Sequence, residues 1–344
     1  MATIRDVAEL AEVSVSTVSL VLSQPHRVSE ATRQRVQKVV EQLEYRPNGT
    51  ARDLRARRTN TIAILLHNLS GPFYSELIRG VEEVGDSLGL TTIAAGWSRN
   101  LGQGSVRLLH EARVDGALVL DPSIPSRELV RYACESLPVV VLDRILPRDF
   151  ESPYITSVTA DHELGGYLAG RHLVDQGYRR FAMIAGPIES EDSRLRQLGF
   201  FRALHDAAID TVTIPVVHSD FTEPGGMRAM STLLEQGRVT QAVFAANDEM
   251  AIGALQALEA NHLEVPNDIA IMGFDDIRLA GYVTPPLSTI HQPMYELGME
   301  AMKQLQVAMS GGACPTEKIL PVTLVPRGST MGRQKKRRNV PDGR

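Results

Sequence analysis

Carboxylate, amide and guanidinium side chains stand at the ends of several short apolar runs of this 344-residue sequence. Asn247 and Asp248 follow the run AVFAA, Asp275 follows IAIMGF, Asp143 follows VVVL, and Arg196 lies in RLRQLGF. Each of these groups can hold two hydroxyls in a fixed geometry, which predicts a binding site for a polyhydroxylated small molecule. Asp248 has a second interpretation, as a first-turn residue stabilised by a helix dipole.

Aromatic and polar candidates for the same site come from other segments. Phe73 and Tyr74 lie in GPFYSEL and Phe221 lies in SDFTEP, and aromatic rings commonly form the walls of small-molecule sites. Ser190 and Asp192 follow the run IAGPI. Phe73 is explained equally well by packing within the helix FYSELIRGV, so both roles stay open for this residue.

A second set of residues is suited to contacts with nucleic acid. Ser14 is placed to cap a helix whose inward positions are Val18, Val21 and Leu22. A solvated helix face normally carries Lys and Glu, whereas this face presents hydroxyls and methyl groups, as a helix in the DNA major groove does. The outward positions are Val15, Ser16, Thr17, Ser19 and Leu20. The pattern favours DNA reading, and a three-helix bundle without a nucleic-acid partner is the alternative.

Two further helices are predicted around that one. The first follows Thr3, a residue suited to the N-cap position, with Asp6 in the first turn. The third runs from about Glu30, after Ser29, to Glu44.

The charge of the chain is unevenly distributed. Residues 1–60 carry ten Lys/Arg against seven Asp/Glu, whereas the whole chain carries 36 against 41. A basic head on an acidic body is expected when only one end of a protein meets phosphate.

From Thr61 onward, short β-branched runs alternate with helix-length segments, which predicts doubly wound parallel sheets. The first set of runs is TIAILL, LTTIAAG, VDGALVL, PVVVLD and ITSVTA. After a helix near 161–176, the second set is FAMIAG, VTIPVVH, QAVFAAND, IAIMGF and LSTIHQP. We therefore expect two similar subdomains, with a ligand outside the carboxyl ends of their strands.

The strings IRDVAELAEVSVSTVS and YRPNGTARDLR, at their spacing around a third helix, resemble the lactose-repressor (LacI/GalR) family of bacterial transcription regulators. Within that family, VSVSTVSLVL is similar to maltose-system members, and DFTEPGGMRAM and TPPLSTIHQP are similar to purine-responsive members. The resemblance implies an N-terminal all-α helix-turn-helix head over 1–46 and a hinge helix or linker over 47–60. It also implies an α/β periplasmic-binding-protein-like core of two doubly wound parallel-sheet subdomains over 61–330, and a basic disordered tail over 331–344.

The resemblance assigns DNA contacts to individual residues. Val15, Ser16 and Leu20 match base-reading positions, although Leu20 offers only apolar contact, and packing against the third helix is its alternative role. In the hinge, Leu54 matches an apolar wedge inserted into the minor groove, with Arg55 beside it, and a flexible basic linker is the alternative. The candidate phosphate or positioning contacts are Thr3, Ser14, Thr17, Ser19 and Asn48.

The same resemblance indicates the effector. Arg196, Asn247 and Asp275 match sugar-contacting positions, whereas Ser190 and Asp192 stand where purine-responsive members carry groups suited to a base. A sugar or polyol is therefore expected, with a purine or nucleoside as the alternative. The implied function is repression of transcription, and either sign of effector response would suit this architecture.

One head and one hinge contact half of an operator, so a homodimer on near-palindromic double-stranded DNA is expected. The helix from Phe73 to Leu88 is the candidate dimer face by resemblance, and packing within one subunit is the alternative explanation of its apolar residues. Those apolar residues are Leu77, Ile78, Val81 and Val84.

Other function classes find little support in the sequence. It contains no secretory signal and no stretch of about 18 apolar residues, so neither an exported sugar-binding protein nor membrane insertion is expected. It also lacks the motifs GxGxxG, HExxH and GxSxG, and we expect no catalytic residue, cofactor or metal. Cys134 and Cys314 are expected to be reduced thiols in a cytoplasmic, nucleoid-associated protein. The histidines without ligand spacing, each expected at the surface or hydrogen-bonded in the core, are His110, His162, His172, His205 and His291.

Overall fold

The chain divides into two units, Met1–Thr59 and Asn60–Arg344. The computed structural model describes residues 2–45, 58–67, 71–96, 109, 113–121, 124–147, 152–237 and 240–331. The predictions that lie outside the described residues concern Asn48, Leu54, Arg55, His110, the hinge over 47–57 and the tail over 332–344. Within the described ranges, no helix is long and apolar enough to cross a membrane.

Hydroxyl side chains begin the three helices of the N-terminal unit. Thr3 and Asp6 form a reciprocal capping box, in which each side chain accepts a hydrogen bond from the other residue's backbone N–H group. Ser14 and Ser29 each accept a hydrogen bond from the N–H group three residues later. The predicted helix starts are therefore confirmed. The helices are α1 (Ile4–Leu10), α2 (Val15–Ser23) and α3 (Glu30–Gln42), with a 3-10 turn at Pro25–Arg27.

The inward positions of these helices form one small core. Its buried members are Val7, Ala8, Ala11, Val18, Val21, Val36 and Val39. Each buried valine contributes about 1.5–3 kcal/mol relative to an exposed one, so this cluster supplies much of the stability of a unit this small. Leu20 is half-buried, and among the described residues it is not one of those packed against this core.

The larger unit alternates strands and helices. Its strands are β1 (Thr61–Leu66), β2 (Thr91–Gly96), β3 (Gly116–Leu120), β4 (Val139–Leu142), β5 (Ile155–Ala160), β6 (Phe181–Ala185), β7 (Val216–His218), β8 (Ala242–Ala245), β9 (Ala270–Met272), β10 (Thr289–His291), β11 (Glu317–Leu320) and β12 (Thr323–Val325). Its helices are α4 (Pro72–Ser87), α5 (Ser126–Tyr132), α6 (His162–Asp175), α7 (Glu191–Asp206), α8 (Glu223–Glu235), α9 (Asp248–Ala260) and α10 (Met294–Met309), with a 3-10 turn at Arg278–Gly281.

Two parallel sheets define two lobes. The first lobe has a sheet in the order β11-β5-β4-β3-β1-β2, and the second lobe has a sheet in the order β7-β6-β8-β9. The strands β1, β3, β4 and β5 are almost wholly buried, as expected when helices cover both faces of a parallel sheet. In the second lobe, the rings of Phe200 and Phe244 pack with centroids 5.0 Å apart at the centre of the core.

Each lobe is built from chain segments that are not consecutive in sequence. The order of the strands along the sequence does not show this. The chain crosses from the first lobe to the second after β5, returns after β10 so that α10 packs against α4, and crosses again between β11 and β12. The predicted strand LSTIHQP is shorter than expected and covers Thr289–His291, which pairs antiparallel with β12. The same run meets the end of β9 only through isolated parallel bridges, Met272 with Ser288 and Asp275 with His291. The run VTIPVVH forms a strand only from Val216, because Pro215 lacks an N–H group for the ladder.

Two glycines bring α6 and α7 into close contact. A Cβ atom at Gly166 would collide with the carbonyl oxygen of Arg196, and a Cβ atom at Gly199 would collide with the carbonyl oxygen of Glu163. The helix backbones therefore touch at these two positions. The contact places the start of α6 beside the first turns of α7, where the predicted ligand residues lie.

The assignment of α4 as the dimer face stays a prediction, but three of its four apolar residues do not lie on an exposed surface. Leu77, Val81 and Val84 are buried inside the first lobe, in the same cluster as Leu297 of α10, and Ile78 packs against that cluster. The apolar spacing of α4 is explained by the crossover that brings α10 over it, as the single-subunit alternative proposed.

Candidate ligand cavity and nucleic-acid interface

A cavity of about 630 Å³ lies at the carboxyl ends of both parallel sheets. The residues that follow β4, β8 and β9 enter it, together with the first turns of α4 and α7. The nine residues predicted for the effector site all line it, namely Phe73, Tyr74, Asp143, Ser190, Asp192, Arg196, Phe221, Asn247 and Asp275.

Arg196 and Asp275 form the charged centre of this cavity. The Arg196 guanidinium is 2% exposed, stacks 3.9 Å from the ring centroid of Phe274, and donates from Nη1 to the Ala246 carbonyl oxygen over 2.5 Å. Its Nη1 lies 3.4 Å from Asp275 Oδ1 and its Nη2 lies 3.5 Å from Asp192 Oδ2. The arginine is therefore held rigidly on the second lobe, with two carboxylates within reach.

One oxygen of Asp275 lacks a hydrogen-bond donor. Among the described residues, Oδ1 of Asp275 is buried without such a partner, although Arg196 is near. Burial raises the pKa of Asp275 well above its ordinary value, and the negative charges of Asp248, Asp192 and Asp143 add to this, while Arg196 opposes it. A ligand hydroxyl would supply the missing hydrogen bond, because a hydroxyl can both donate and accept.

Asp143 is held by residues that the sequence did not single out as ligands. His162 Nε2 lies 3.2 Å from Oδ1 of Asp143, and Gln292 Nε2 donates to Oδ2 over 3.0 Å. Burial alone would raise the pKa of Asp143, but His162, Arg196 and the N–H group of Ala160 together hold that pKa below its ordinary value. The expectation that His162 is a hydrogen-bonded core histidine is confirmed. Its place beside the cavity depends on tertiary contacts and has no local sequence signal.

Ser190 and Asn247 begin the helices that point at the cavity. Ser190 caps α7 and also donates to Asp192, while Asn247 caps α9 and donates from Nδ2 to the Phe221 carbonyl oxygen over 3.0 Å. Each helix therefore directs the positive end of its dipole towards the ligand space.

Aromatic rings form two walls of the cavity. The rings of Phe73 and Tyr74 meet edge to face with centroids 5.3 Å apart. Phe73 lines the cavity and also packs against the core of the second lobe, so both of its proposed roles apply. Burial, followed by the charges of Asp192 and other carboxylates, raises the pKa of Tyr74, so its hydroxyl keeps its proton. The ring of Phe221 lies over Gly186, where a Cβ atom would collide with it.

The cavity is rich in carboxylates. Of the described residues that line it, eight are Asp or Glu and two are Arg, namely Arg144 and Arg196. Both Arg144 Nη atoms already donate to the backbone carbonyls of Asp121 and Ile124 over 2.6 Å, and burial lowers the pKa of this arginine. Among the described residues, no three His, Cys, Asp or Glu side chains could hold a metal ion together. The lining residues absent from the sequence-based set include His67, Asp121, Ser126, Asp220, Thr222 and Glu249.

Asp248 does not line the cavity, and its structural interpretation is the correct one. It is the first residue of α9 and fully buried, accepting a hydrogen bond from Thr289 Oγ1 over 2.6 Å and another from the N–H group of Ile277 over 2.9 Å. Ile277 lies two residues after Asp275, and Thr289 lies on β10, where the carbonyl oxygen of the next residue, Ile290, accepts from the Asp275 N–H group. Asp248 therefore supports the ligand residue from behind.

The outward face of α2 is exposed in part, and none of its five predicted residues is buried. Val15 and Ser16 are exposed, whereas Thr17, Ser19 and Leu20 are half-buried. Ser14 Oγ lies 2.7 Å from Ser16 Oγ and 2.8 Å from Thr17 Oγ1, so three hydroxyls cluster at the helix start. Hydroxyls and free N–H groups at a helix N-terminus are suited to phosphate oxygens. Thr3 is exposed at the start of α1 with its side chain engaged in the capping box.

Comparisons with known families match both units. Residues 3–48 match the lacI family of bacterial regulatory proteins, and residues 170–330 match the periplasmic binding protein-like domain.

Individual relatives cover nearly the whole chain. The ribose operon repressor of Escherichia coli (strain K12) is 42% identical over 312 residues, covering 89% of this chain and 92% of that protein. The HTH-type transcriptional repressor PurR of Aliivibrio salmonicida (strain LFI1238) is 35% identical over 308 residues, covering 89% of this chain and 91% of that protein. Among solved structures, the lac repressor dimer bound to operator and the anti-inducer ONPF superposes with a TM-score of 0.83 at 30% identity, covering 96% of this chain and 99% of that chain.

Proposed function

The chain belongs to the lacI family of bacterial regulatory proteins, and from this premise we propose that its effector is a neutral sugar, ribose or a related pentose. The protein is a DNA-binding repressor controlled by a small-molecule effector, and it binds its operator as a dimer. It belongs to a family of regulators without enzymatic activity.

One observation carries the choice of a neutral sugar. The buried Oδ1 of Asp275 lacks a hydrogen-bond donor, and the Asp275 carboxylate lines the cavity beside the Arg196 guanidinium, 3.4 Å from Nη1, so a ligand hydroxyl that reaches both side chains could donate to the carboxylate and accept from the guanidinium. Among the described residues around the same space, carboxylates outnumber arginines eight to two, which disfavours a sugar phosphate or any other anion. The similarity to the ribose operon repressor supports a pentose.

A purine is the second candidate. The edge-to-face rings of Phe73 and Tyr74 and the ring of Phe221 offer flat apolar surfaces for a base, and the similarity to PurR favours this class. The position of Ser190 and Asp192 at one end of the cavity supplies polar groups for base edges. The two effector classes differ in what they require, because a sugar depends on Asp275 and Arg196, whereas a base depends on the rings.

We further propose the roles of the DNA-contacting residues. Val15, Ser16 and Leu20 contact base edges from α2, supported by the exposure of Val15 and Ser16 and by the absence of Leu20 from the head core within the described residues. Leu54 and Arg55 act in the minor groove. The residues proposed for phosphate or positioning contacts are Thr3, Ser14, Thr17, Ser19 and Asn48.

We keep the predicted domain bounds as part of this proposal. They are a head over 1–46, a hinge over 47–60, a core over 61–330 and a basic tail over 331–344. We also propose that the protein acts at the nucleoid in the cytoplasm, since its partner is operator DNA.

The first experiment is a thermal-shift screen of the full-length protein. The panel contains ribose, other pentoses, polyols, sugar phosphates and nucleobases, and a ligand at 100 times its Kd stabilises the folded protein by about 2.7 kcal/mol. We expect a shift with ribose or another neutral sugar and none with the corresponding phosphate. A shift with a nucleobase alone would replace the sugar by the second candidate.

A variant pair then locates the site. Asp275→Asn should abolish the sugar-induced shift, while Asp175→Asn, which changes an exposed carboxylate paired with Arg171 on α6, should keep it. An unchanged shift in Asp275→Asn would place the sugar elsewhere.

A further inference from the structure

Four buried side chains close a ring of hydrogen bonds beside the cavity. His162 Nε2 lies 3.2 Å from Asp143 Oδ1, and Arg196 Nε lies 3.3 Å from His162 Nδ1. Arg196 Nη2 donates to Gln292 Oε1 over 3.1 Å, and Gln292 Nε2 donates to Asp143 Oδ2 over 3.0 Å. Each of the four residues therefore binds two others of the ring, and each is buried.

The donors and acceptors of this ring are fixed by chemistry. A guanidinium can only donate, so Nδ1 of His162 must accept the hydrogen bond from Arg196. The imidazole proton is then on Nε2, where it is donated to Asp143. The Gln292 amide is oriented in the same way, with its oxygen towards Arg196 and its nitrogen towards Asp143. A protonated His162, or a carboxylate at position 292, would break one link of the ring.

The ring is built at two crossings of the chain between the lobes. Asp143 follows β4 of the first lobe, whereas Arg196 lies on α7 of the second lobe. His162 is the first residue of α6, directly after the crossing from β5, and Gln292 lies between β10 and α10, at the return crossing. Each of these two crossings thus contributes one side chain, His162 or Gln292, that is hydrogen-bonded to both Asp143 and Arg196.

Only part of the ring faces the ligand space. Asp143 and Arg196 line the cavity, while His162 and Gln292 are not among the described lining residues. We propose that His162 and Gln292 are positioning residues. They link Arg196, which contacts the effector, to Asp143, and through Asp143 they link effector binding to the orientation of the first lobe. The proposal rests on the proposed function, in which Arg196 and Asp143 contact the effector.

Close packing makes this coupling stiff. The backbones of α6 and α7 touch at Gly166 and Gly199, and the ring of Phe274 lies under the Arg196 guanidinium. Asp143 has a φ of 49°, and its Oδ1 also accepts from the Ala160 N–H group over 3.3 Å, so the start of the first crossing is held by the same carboxylate. Through His162 and Gln292, a displacement of Arg196 would then be passed to Asp143.

The test uses Gln292→Met, which keeps the length of the side chain and removes both of its hydrogen bonds. The matched control is His291→Gln, since His291 is the preceding residue of the same crossing and contacts Asp276 outside the ring. Both variants are made in the full-length dimer. The measurements are ribose affinity by calorimetry, operator affinity with and without saturating ribose, and hydrogen–deuterium exchange without ligand.

We expect Gln292→Met to weaken ribose binding about tenfold, as the loss of a hydrogen bond to a charged group predicts. It should also reduce the ratio of operator affinities with and without ribose and speed exchange in the peptides that contain Asp143 and Ala160. Unchanged exchange in those peptides, or an unchanged ratio of operator affinities, would overturn the proposal. A purely structural role would lower the unfolding temperature and leave that ratio intact.

A spectroscopic measurement separates this proposal from the choice of effector. In protein labelled with ¹⁵N-histidine, His162 is assigned by its loss in His162→Gln, and a neutral ring protonated at Nε2 is expected. An imidazolium, or a proton on Nδ1, would refute the ring whatever the effector is. Absence of any ribose response in the unmodified protein would instead refute the pentose assignment, and exchange and tautomer would still decide the ring.

Discussion

The carboxyl group of Asp248 predicts an unusual dependence of stability on pH. It is fully buried behind the segment that carries Asp275, and burial raises its pKa to about 7. The hydrogen bonds from Thr289 and Ile277 oppose this increase, and the charge of Asp276 adds to it. At pH 8 the folded protein therefore holds a buried charge that the unfolded chain would solvate freely.

The magnitude follows from the two pKa values. Raising the pKa of one carboxyl from 3.8 to about 7 corresponds to about 4 kcal/mol of differential free energy, at about 1.4 kcal/mol per pH unit. Between these pKa values the folded state binds more protons than the unfolded state, so the contribution of Asp248 to stability is present below about pH 4 and is lost as the pH rises through about 7.

Asp248→Asn removes the charge and keeps the shape. The amide oxygen of asparagine can accept from the Ile277 N–H group, and its nitrogen can donate to Thr289 Oγ1, so the first hydrogen bond of Asp248 is kept and the second is replaced by one of opposite direction. Between pH 5 and pH 8, we expect the free energy of unfolding to change less in the variant than in the unmodified protein. By pH 8 it should be the more stable of the two by up to about 4 kcal/mol.

The assay is urea unfolding followed by circular dichroism at pH 5, 6, 7 and 8. Asp175→Asn serves as the control for the loss of an exposed carboxylate. The quantity of interest is the difference between variant and unmodified protein, because other carboxylates titrate in both and cancel. A difference that stays constant from pH 5 to pH 8 would refute the assignment of a raised pKa to Asp248.

Three further sets of substitutions test separate parts of the molecule. Gly199→Ala should separate α6 from α7 at the Glu163 carbonyl, and calorimetry should show weaker sugar binding together with a lower unfolding temperature. Leu20→Ala should weaken binding to a selected operator by about 1 kcal/mol, as measured by fluorescence anisotropy. Its melting curve should be unchanged, since Leu20 is outside the described head core. The control Val18→Ala changes a residue of that core and should lower the melting temperature instead. Asp275→Gly should be more stable than Asp275→Ala, because only glycine adopts its φ of 110° without strain, and neither variant should bind the sugar.

Local signals in the sequence predicted much of the fold. Thr3, Ser14 and Ser29 cap helices through side-chain contacts that span three residues, so the sequence neighbourhood contains the whole interaction. The ends of β4, β8 and β9 were predicted for a similar reason, because an apolar run followed by Asp143, Asn247 or Asp275 shows where each strand leaves the core.

The features that escaped prediction depend on contacts between distant parts of the chain. The partners of α4 are more than 200 positions away in α10, so the sequence left open whether its apolar residues face a second subunit or the core of the same subunit. Gln292 and His162 could not be assigned to the cavity region for the same reason, since each meets Arg196 only after the chain has crossed between lobes. No periodicity or motif marks such residues. In contrast, the polar side chains that follow the strands were sufficient to indicate the cavity itself.

Several residues at the cavity have a strained backbone conformation. Positive φ angles occur at Asp143, Phe221, Asp275 and Asp276, and a non-glycine residue in that region costs about 1–3 kcal/mol. At Asp275 the strained backbone is held by its N–H group, which donates to the Ile290 carbonyl oxygen over 2.8 Å, and by the contacts of Asp248 with the flanking residues. These contacts would be unnecessary for folding alone, because glycine at 275 would relieve the strain. The protein instead keeps a buried carboxylate with an unmatched oxygen, which is a cost in stability that sugar binding at this position would recover.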